Sequence, residues 1–582
     1  MMLSEEKMHR LTKGQQRAIH ESVGKYVAEH YQELCEADFV DEELLRQYTD
    51  ATAQLLKPLA PGKIDDGMNQ LLVAINQAAI AVTEGDKTFA FSHNLVDHIR
   101  IRYQQMKNVD ESLKLAETLR NSEVKISEFT KIKTAEIRIC EEGDALYIDY
   151  SLPMTGECWT LIQELSELHI EIAGTNYVVA TGGFHIQTAR EVNENGGRFE
   201  GRIHINKIEA EDFKTQQKGY YRCMLPIGSI DWLHDIHTYA AILKNGCMMG
   251  LMEFYDQTIL IHVYPCKQEG QHYLVVEILS ESTAKKIAEY VYSVALTIGF
   301  VTGHIHLGRC YAFWSATPEF GERLAMSYHT MRPSSNSTIR IFTTNMYYVN
   351  DMLKENKVAL ESRQPLYDVQ GEFQRNLQDW LQPDFMQSLF SLIYNDAHIA
   401  RAVVTLVESA NFPLEYQAGV RSIVLETLAH SVPGPKPIEN DDLWEKIKGD
   451  MTAVLDGNMM DAEGRELITA ESRNILDKKV ATMNKPTNVD SLARPLEDVA
   501  YTITKNDLSA LKMRNTFLHG GLVKGSIEKQ TEGIFYISLM LHKLCSIIIL
   551  KRAGFDGYIL NNPVLFNCEK AVQAQERPLL KI

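Results

Sequence analysis

The hydrophobic period changes twice along this chain, and this change constrains its fold more than any other feature. In the first region, apolar residues recur every three or four positions, as in "MNQLLVAINQAAIAV", which predicts amphipathic helices. From about Lys131 the period becomes two, as in "AEIRICEEGDALYIDYSL", which predicts strands. From about Asp351 the helical period returns and continues. We therefore predict an α+β multidomain protein with a helical N-terminal region (1–125), a β-rich middle domain (126–350) and a helical C-terminal domain (351–582).

Length and charge restrict the class of protein further. A chain of 582 residues is too long for one compact core, so several domains are expected. The formal net charge of −18 argues against a broad surface that coats nucleic acid, because phosphate contacts need Lys and Arg side chains. A small basic cleft on an acidic body remains compatible with this charge.

Three features lead us to expect a cytoplasmic protein that does not enter a membrane. The longest apolar run, "YISLMLHKLCSIIIL", is interrupted by His542 and Lys543 and is shorter than the roughly 20 residues that span a bilayer. We interpret it as a buried helix. The N-terminal "MMLSEEKMHRLTKGQQ" lacks the apolar core of a secretory signal. The 9 cysteines form no CxxC pair, which favours reduced thiols.

Local signals predict individual elements of the middle and C-terminal domains. The sequence "EEGD" lies between two alternating runs and predicts a hairpin with Gly143 in the turn. "ESTAKKIAEYVYSVALTIGFVTG" predicts one amphipathic helix that ends at Gly303. "TIRIFTT" predicts a further strand. After Asp351, five or six helices with short connections predict a helical bundle, whose last long helix contains the apolar run described above.

Most familiar catalytic patterns are missing from the sequence. His234 with His237, and His304 with His306, each offer two metal ligands, whereas a zinc site needs three or four. We therefore favour structural or exposed histidines and expect no metal. The chain contains no GxxxxGK[ST], no GxGxxG and no GxSxG. These absences argue against an ATPase, a dehydrogenase and an α/β-hydrolase, and we expect no cofactor.

The stretch "LKMRNTFLHGG" is the best candidate for a site. Arg514 and His519 form an R-x4-H pair, and Gly520 and Gly521 are expected to end the helix that carries it. Asn515 lies four residues before His519 and so shares its helix face. Two readings remain open on these residues alone. The polar triple is a catalytic site, or Arg514 and His519 only complement the dipole at a helix C-terminus.

The sequence "RNTFLHG" resembles the RNxxxH signature of HEPN domains, which are helical bundles. The earlier "SIVLETLAHS" resembles the HEPN helix that carries an acidic residue, here Glu426. The resemblance covers roughly residues 380–560. The layout of the middle region before the bundle is similar to that of ApeA-type bacterial anti-phage proteins.

This resemblance implies a metal-independent endoribonuclease whose products carry 2′,3′-cyclic phosphate and 5′-OH ends. Its implied catalytic residues are Arg514, Asn515 and His519. Arg514 would hold the scissile phosphate with its planar guanidinium, and His519 would transfer protons, because its unperturbed pKa lies near neutrality. Asn515 would orient the histidine or the phosphate, and Glu426 would be a partner of Arg514.

The resemblance also implies partners and a role. The substrate would be RNA, either tRNA or mRNA. The active form would be a homodimer or a higher homo-oligomer joined through the HEPN domain. The role would be abortive infection, with a phage protein as a possible trigger and the regions before residue 350 as restraint and sensor. The alternative is a catalytically inactive HEPN module that binds nucleotide or protein as an adaptor.

Overall fold

A computed structural model describes residues 109–582 apart from internal gaps. The gaps are 122–123, 131, 133–134, 143–144, 193–196, 214–216, 229–238, 243–247, 258, 269–270, 279, 319, 321–323, 338, 342–345, 367, 369–382, 431, 433–435, 486 and 519–525. Most of the predicted N-terminal helical region (1–125) therefore lies outside the described residues, as do His234 and His237. The chain divides into two compact units, Met1–Ser335 with Leu381–Tyr394 and Asn336–Trp380 with Asn395–Ile582.

The strands lie mainly in the first unit and are numbered in chain order. They are β1 (Val124–Ile126), β2 (Glu136–Glu142), β3 (Ala145–Pro153), β4 (Leu168–Ile172), β5 (Thr175–Val179), β6 (Phe184–Val192), β7 (Arg198–Ile205), β8 (Lys207–Ala210), β9 (Tyr220–Gly228), β10 (Tyr239–Ile242), β11 (Met248–Asp256), β12 (Ile259–Gln268), β13 (Gln271–Ile278), β14 (His304–Ile305), β15 (Cys310–Ser315), β16 (Ala325–His329), β17 (Ser335–Asn336), β18 (Tyr558–Leu560) and β19 (Leu579–Lys581).

The helices are numbered in the same way. They are α1 (Val109–Asn121), α2 (Gly156–Gln163), α3 (Ala284–Thr302), α4 (Met346–Glu355), α5 (Pro383–Asn395), α6 (Ala397–Glu408), α7 (Leu414–Ala429), α8 (Asp441–Gly457), α9 (Ala470–Thr482), α10 (Asn488–Asp498), α11 (Lys505–Leu518), α12 (Ile527–Arg552), α13 (Asn562–Leu565) and α14 (Glu569–Gln573). Short 3-10 helices occupy Ser127–Phe129 and Ser409–Asn411.

Two antiparallel sheets contain most of the strands that the structure describes in the first unit. One has 11 strands in the order β1-β4-β5-β8-β16-β15-β9-β13-β12-β11-β10, and the other has 4 in the order β2-β3-β7-β6. The strand pairing of the predicted hairpin is confirmed, because β2 pairs with β3 up to Glu142 opposite Ala145. Gly143, the predicted turn residue, lies outside the described residues. With the helices of the second unit, these sheets confirm the α+β class.

The core of the first unit follows from the period of two in its strands. In β3, Leu146, Ile148, Tyr150 and Leu152 are buried, whereas the residues that alternate with them are partly exposed. One face of the four-stranded sheet thus points into a hydrophobic cluster that also contains residues of the 11-stranded sheet and of α1. Alternation of this kind is expected of an antiparallel sheet with one buried face.

Helix α3 is formed as the sequence predicts. It begins after Thr283, whose side chain accepts a hydrogen bond from the Lys286 backbone N–H, and it ends at Gly303. Gly303 has a φ of +80°, a conformation in which a side chain would be strained. Helix α5 belongs to the same unit, since its Phe390 ring lies 4.9 Å from that of Phe254 and 6.5 Å from that of Tyr290.

The predicted strand in "TIRIFTT" is wrong for its described part. Residues 339–341 form no strand. Their carbonyl groups instead bind the C-terminal segment of the second unit. The Leu560 backbone N–H donates to the Ile341 carbonyl at 2.9 Å, and the Asn562 amide donates to the Arg340 carbonyl at 2.8 Å. The alternating side chains of Ile339 and Ile341 are buried in this arrangement, which explains why the pattern resembles a strand.

Helix α12 is the central helix of the second unit. Its residues from Tyr536 to Leu550 are all buried, and α7 and α11 are among the helices that pack against it. By length and composition alone α12 can also cross a membrane, but 83% of its most apolar stretch is buried inside the fold. A core helix of a soluble protein passes the same test, so this feature is weak evidence for a membrane span.

A buried ion pair joins two central strands of the large sheet. Arg222 on β9 lies directly opposite Glu277 on β13, and the Arg222 Nε donates to the Glu277 carboxylate at 2.7 Å. Tyr264 donates a second hydrogen bond to that carboxylate, and Ser112 accepts one from the guanidinium. Since both charged side chains are almost fully buried, each depends on the other for charge compensation.

We predict that Glu277→Ala destabilises the first unit strongly, because the substitution leaves the Arg222 guanidinium buried without its counter-charge. The free energy of unfolding, measured by urea denaturation, should fall by about 3–5 kcal/mol. The control is Glu281→Ala at an exposed site, for which a change within about 0.5 kcal/mol is expected. A loss below about 1 kcal/mol for Glu277→Ala would contradict the proposed dependence.

Candidate functional site

Helix α11 carries the R-x4-H motif and ends at Leu518. Arg514 lies on this helix with its side chain buried, and Asn515 begins its last turn. His519 lies outside the described residues. The structure therefore locates one side chain of the predicted catalytic triple, that of Arg514.

Arg514 forms an ion pair with Glu426, which lies in the last turn of α7. The Arg514 Nη2 contacts a carboxylate oxygen of Glu426, and the side chains of Arg514 and Glu426 are 3% and 42% exposed. These are the two residues that the resemblance suggested as partners. Burial lowers the pKa of the Arg514 guanidinium, which makes a nearby negative charge favourable for the folded state.

The first turn of α11 is fixed by a buried carboxylate. Asp507 accepts hydrogen bonds from the Thr504 backbone N–H at 2.9 Å and from the Tyr501 hydroxyl at 3.0 Å. The Thr504 hydroxyl in turn accepts from the Asp507 backbone N–H at 3.2 Å, which completes a reciprocal capping arrangement. The second Asp507 oxygen lies 2.9 Å from the Lys543 Nζ on α12. Helix α11 is thereby held to α12 two turns before Arg514.

The environment of Asp507 favours its charged form. Burial alone would raise the pKa of this carboxyl group. The Lys543 ammonium and the hydrogen bonds from Thr504 outweigh burial, so that the pKa of Asp507 lies below its ordinary value. Asp507 is consequently ionised at neutral pH and serves as the counter-charge of Lys543.

The sequence analysis did not identify these positioning residues, although two signals were present. Thr504 and Asp507 have the T-x-x-D spacing of a helix start, similar to a capping box. Lys543 interrupts an apolar run, and a buried lysine requires an acidic partner. Neither signal shows that Lys543 and Asp507 pair with each other, because that depends on how α11 packs on α12.

His304 and His306 are the histidine pair that the described part of the chain contains. The His304 and His306 rings stack with centroids 6.1 Å apart. Across the described ranges, no group of three or more His, Cys, Asp or Glu side chains is placed to hold a metal ion. His304 and His306 therefore have no third ligand among these residues.

The arrangement at the ends of α7 and α11 is suited to binding an anionic oxygen. A guanidinium that already holds one carboxylate presents the planar donors that also fit a phosphoryl group. In the state described, Glu426 occupies that role. A phosphate that approaches Arg514 has to displace the carboxylate or share the guanidinium with it.

No protein-family model, no curated protein and no solved structure matches this chain. The argument for a function consequently depends on the motif and on the geometry around Arg514.

We predict that Asp507→Asn destabilises the second unit by about 3–5 kcal/mol at neutral pH, because Lys543 stays buried without a counter-charge. The folded pKa of Asp507 is lowered, so its contribution is fully present above the unfolded pKa near 3.8 and is lost as pH falls through the folded pKa. Urea denaturation between roughly pH 2 and 5 should therefore show a weaker acid dependence in the variant than in the parent.

Asp498→Asn, at an exposed carboxylate on α10, is the control and should leave both the stability and its pH dependence unchanged. Equal acid dependence in the parent and in Asp507→Asn would show that Asp507 is not the group responsible.

Proposed function

We propose that this protein is a metal-independent endoribonuclease of the HEPN type that acts in anti-phage defence by abortive infection. The observation that carries the proposal is the pairing of Arg514 with Glu426. It brings the arginine of the R-x4-H motif next to the acidic residue of the helix that the HEPN resemblance singles out. Arg514, Asn515 and His519 are the proposed catalytic residues.

The chemistry follows from the substrate. RNA carries its own nucleophile, the 2′-OH, so the enzyme has to remove its proton, protonate the leaving 5′-oxygen and stabilise charge on the phosphorane. His519 serves the proton transfers, because histidine titrates near neutral pH. Arg514 stabilises the phosphoryl oxygens with parallel hydrogen bonds. The products would carry 2′,3′-cyclic phosphate and 5′-OH ends.

One motif supplies a single proton-transfer group, whereas the reaction needs a base and an acid on opposite sides of the phosphate. A two-fold axis beside the motif would present the same residues twice. We therefore propose a homodimer, or a higher homo-oligomer, joined through the C-terminal domain near Arg514 and His519.

The proposed domain layout assigns a task to each part. The HEPN domain would comprise residues 351–582, with a core at about 380–560. The β-rich domain (126–350) would sense the infection signal, possibly a phage protein, and the region 1–125 would contribute to restraint. The acidic body of the protein, with a formal net charge of −18, would limit non-specific RNA binding in the cytoplasm.

One observation favours the second candidate, a catalytically inactive HEPN module that binds nucleotide or protein. The Arg514 side chain is only 3% exposed and already holds a carboxylate. In a binding module this ion pair would be permanent. In a nuclease the ion pair would belong to a resting state. Arg514 would then reach the phosphate only after the pair opens or rearranges.

We predict that His519→Ala and Arg514→Ala each lower RNA cleavage by at least about 100-fold, because they remove proton transfer and phosphoryl stabilisation respectively. Cleavage of end-labelled RNA by the purified proteins, and growth arrest on expression, are the measurements. His398→Ala on the exposed first turn of α6 is the matched histidine control and should retain the parental rate. If His519→Ala cuts RNA as fast as the parent, His519 is not a catalytic residue, and if the parent itself does not cut RNA, the inactive-module alternative gains support.

We also predict that cleavage persists in excess EDTA, because no step of the proposed reaction uses a metal ion. Mass spectrometry of the fragments should find 2′,3′-cyclic phosphate and 5′-OH ends. Activity that is lost on chelation and regained with magnesium or zinc would contradict the proposal. It would direct attention to His234 and His237.

A further inference from the structure

Four lysine and arginine side chains are buried among the described residues, and they differ in how their charge is balanced. Three of them pair with a carboxylate: Arg222 with Glu277, Arg514 with Glu426, and Lys543 with Asp507. The fourth is Arg421 on α7, which is fully buried and has no carboxylate partner in the described part of the chain.

Two serine hydroxyls accept hydrogen bonds from Arg421. The Nε donates to the Ser409 Oγ at 2.8 Å and the Nη1 donates to the Ser538 Oγ at 2.6 Å. The serine protons are directed elsewhere, to the Leu406 carbonyl at 2.6 Å and to the Gln417 Oε1 at 3.2 Å. These contacts satisfy two N–H groups of the guanidinium, but they supply no negative charge.

Two polar side-chain atoms in this region have no hydrogen-bond partner in the described structure. They are the Arg421 Nη2 and the His542 Nδ1. His542 lies four residues after Ser538 on α12, so it shares the face on which Ser538 contacts Arg421. Unsatisfied polar atoms of α7 and α12 thus lie in one buried region.

The charge of this region is positive and not compensated. Burial lowers the pKa of the Arg421 guanidinium to about 10, which still leaves it protonated at neutral pH. Burial and the neighbouring charge of Arg421 lower the pKa of His542, so the imidazole is neutral there. A buried charge without a counter-charge is strongly unfavourable, and protein interiors therefore pair such charges.

We propose that Arg421 binds a small inorganic anion of the halide class, chloride under ordinary conditions, between α7 and α12. The Arg421 Nη2 is its main donor, and His542 contributes a ring N–H through its Nδ1 tautomer. A monatomic anion fits this role better than a phosphate, because packed helices accommodate about one water volume more readily than a polyatomic ion. The bound anion stabilises the position of α7, the helix that also carries Glu426.

The test uses the full-length protein in sodium gluconate, with gluconate replaced stepwise by chloride or bromide at constant ionic strength. The melting temperature of the parent should rise saturably by roughly 2–5 °C, since a ligand that binds only the folded state stabilises it. Arg421→Met should abolish this rise. If that variant fails to fold, Arg421→Gln and His542→Phe serve instead and should weaken the response.

Lys543→Met is the matched control, because it removes a buried cation that already has a carboxylate. It should lower the melting temperature but retain the chloride response. In crystals grown with bromide, an anomalous peak should lie within hydrogen-bond distance of the Arg421 Nη2. The proposal is overturned if the parent shows no halide response, if Arg421→Met responds as the parent does, or if a water molecule occupies the position beside Nη2.

Discussion

Two polar side chains in the buried stretch of helix α12 are matched by neighbouring helices, and this matching allows the helix to lie inside the second unit. Lys543 has the Asp507 carboxylate on α11, and Ser538 accepts from Arg421 on α7. An unmatched charge in this position would be strongly unfavourable, so these contacts define which helices pack on α12 and where along it they do so. The candidate site is a consequence, because α11 and α7 each carry one half of the Arg514–Glu426 pair.

Buried polar residues inside the bundle also position the two helices that carry the residues of the proposed chemistry. Arg421 and Glu426 lie on one helix, so any group that balances Arg421 also stabilises the helix that holds Glu426. Asp507 similarly stabilises the position of α11, two turns before Arg514. Neither Asp507 nor Arg421 belongs to the R-x4-H motif, and we regard both as positioning residues. Under the proposed function, RNA would reach the Arg514 guanidinium only after the ion pair with Glu426 opens.

In the first unit, too, buried charges are paired with opposite charges, although this unit is built from strands. Arg222 and Glu277 compensate each other on neighbouring central strands of the 11-stranded sheet. At another place on this unit, Lys286 on α3 contacts Asp256 at 3.2 Å and lies over the Tyr394 ring of α5. Together with the Phe254–Phe390 contact, this explains why α5 groups with the β-rich unit rather than with the helices that follow it in the chain.

Local pattern determined much of this protein. The period of two defines β2 and β3, the glycine at 303 ends α3, and the apolar run "YISLMLHKLCSIIIL" forms a buried helix. The HEPN resemblance also suggested Glu426 as a partner of Arg514. Tertiary structure alone decided the pairing of Asp507 with Lys543, the isolation of Arg421 from any described carboxylate and the grouping of α5. It also placed Ile339 and Ile341 in an irregular segment. The physical reason is that periodicity reports which face of an element avoids water, whereas the identity of the surface that covers this face depends on residues far away in the chain.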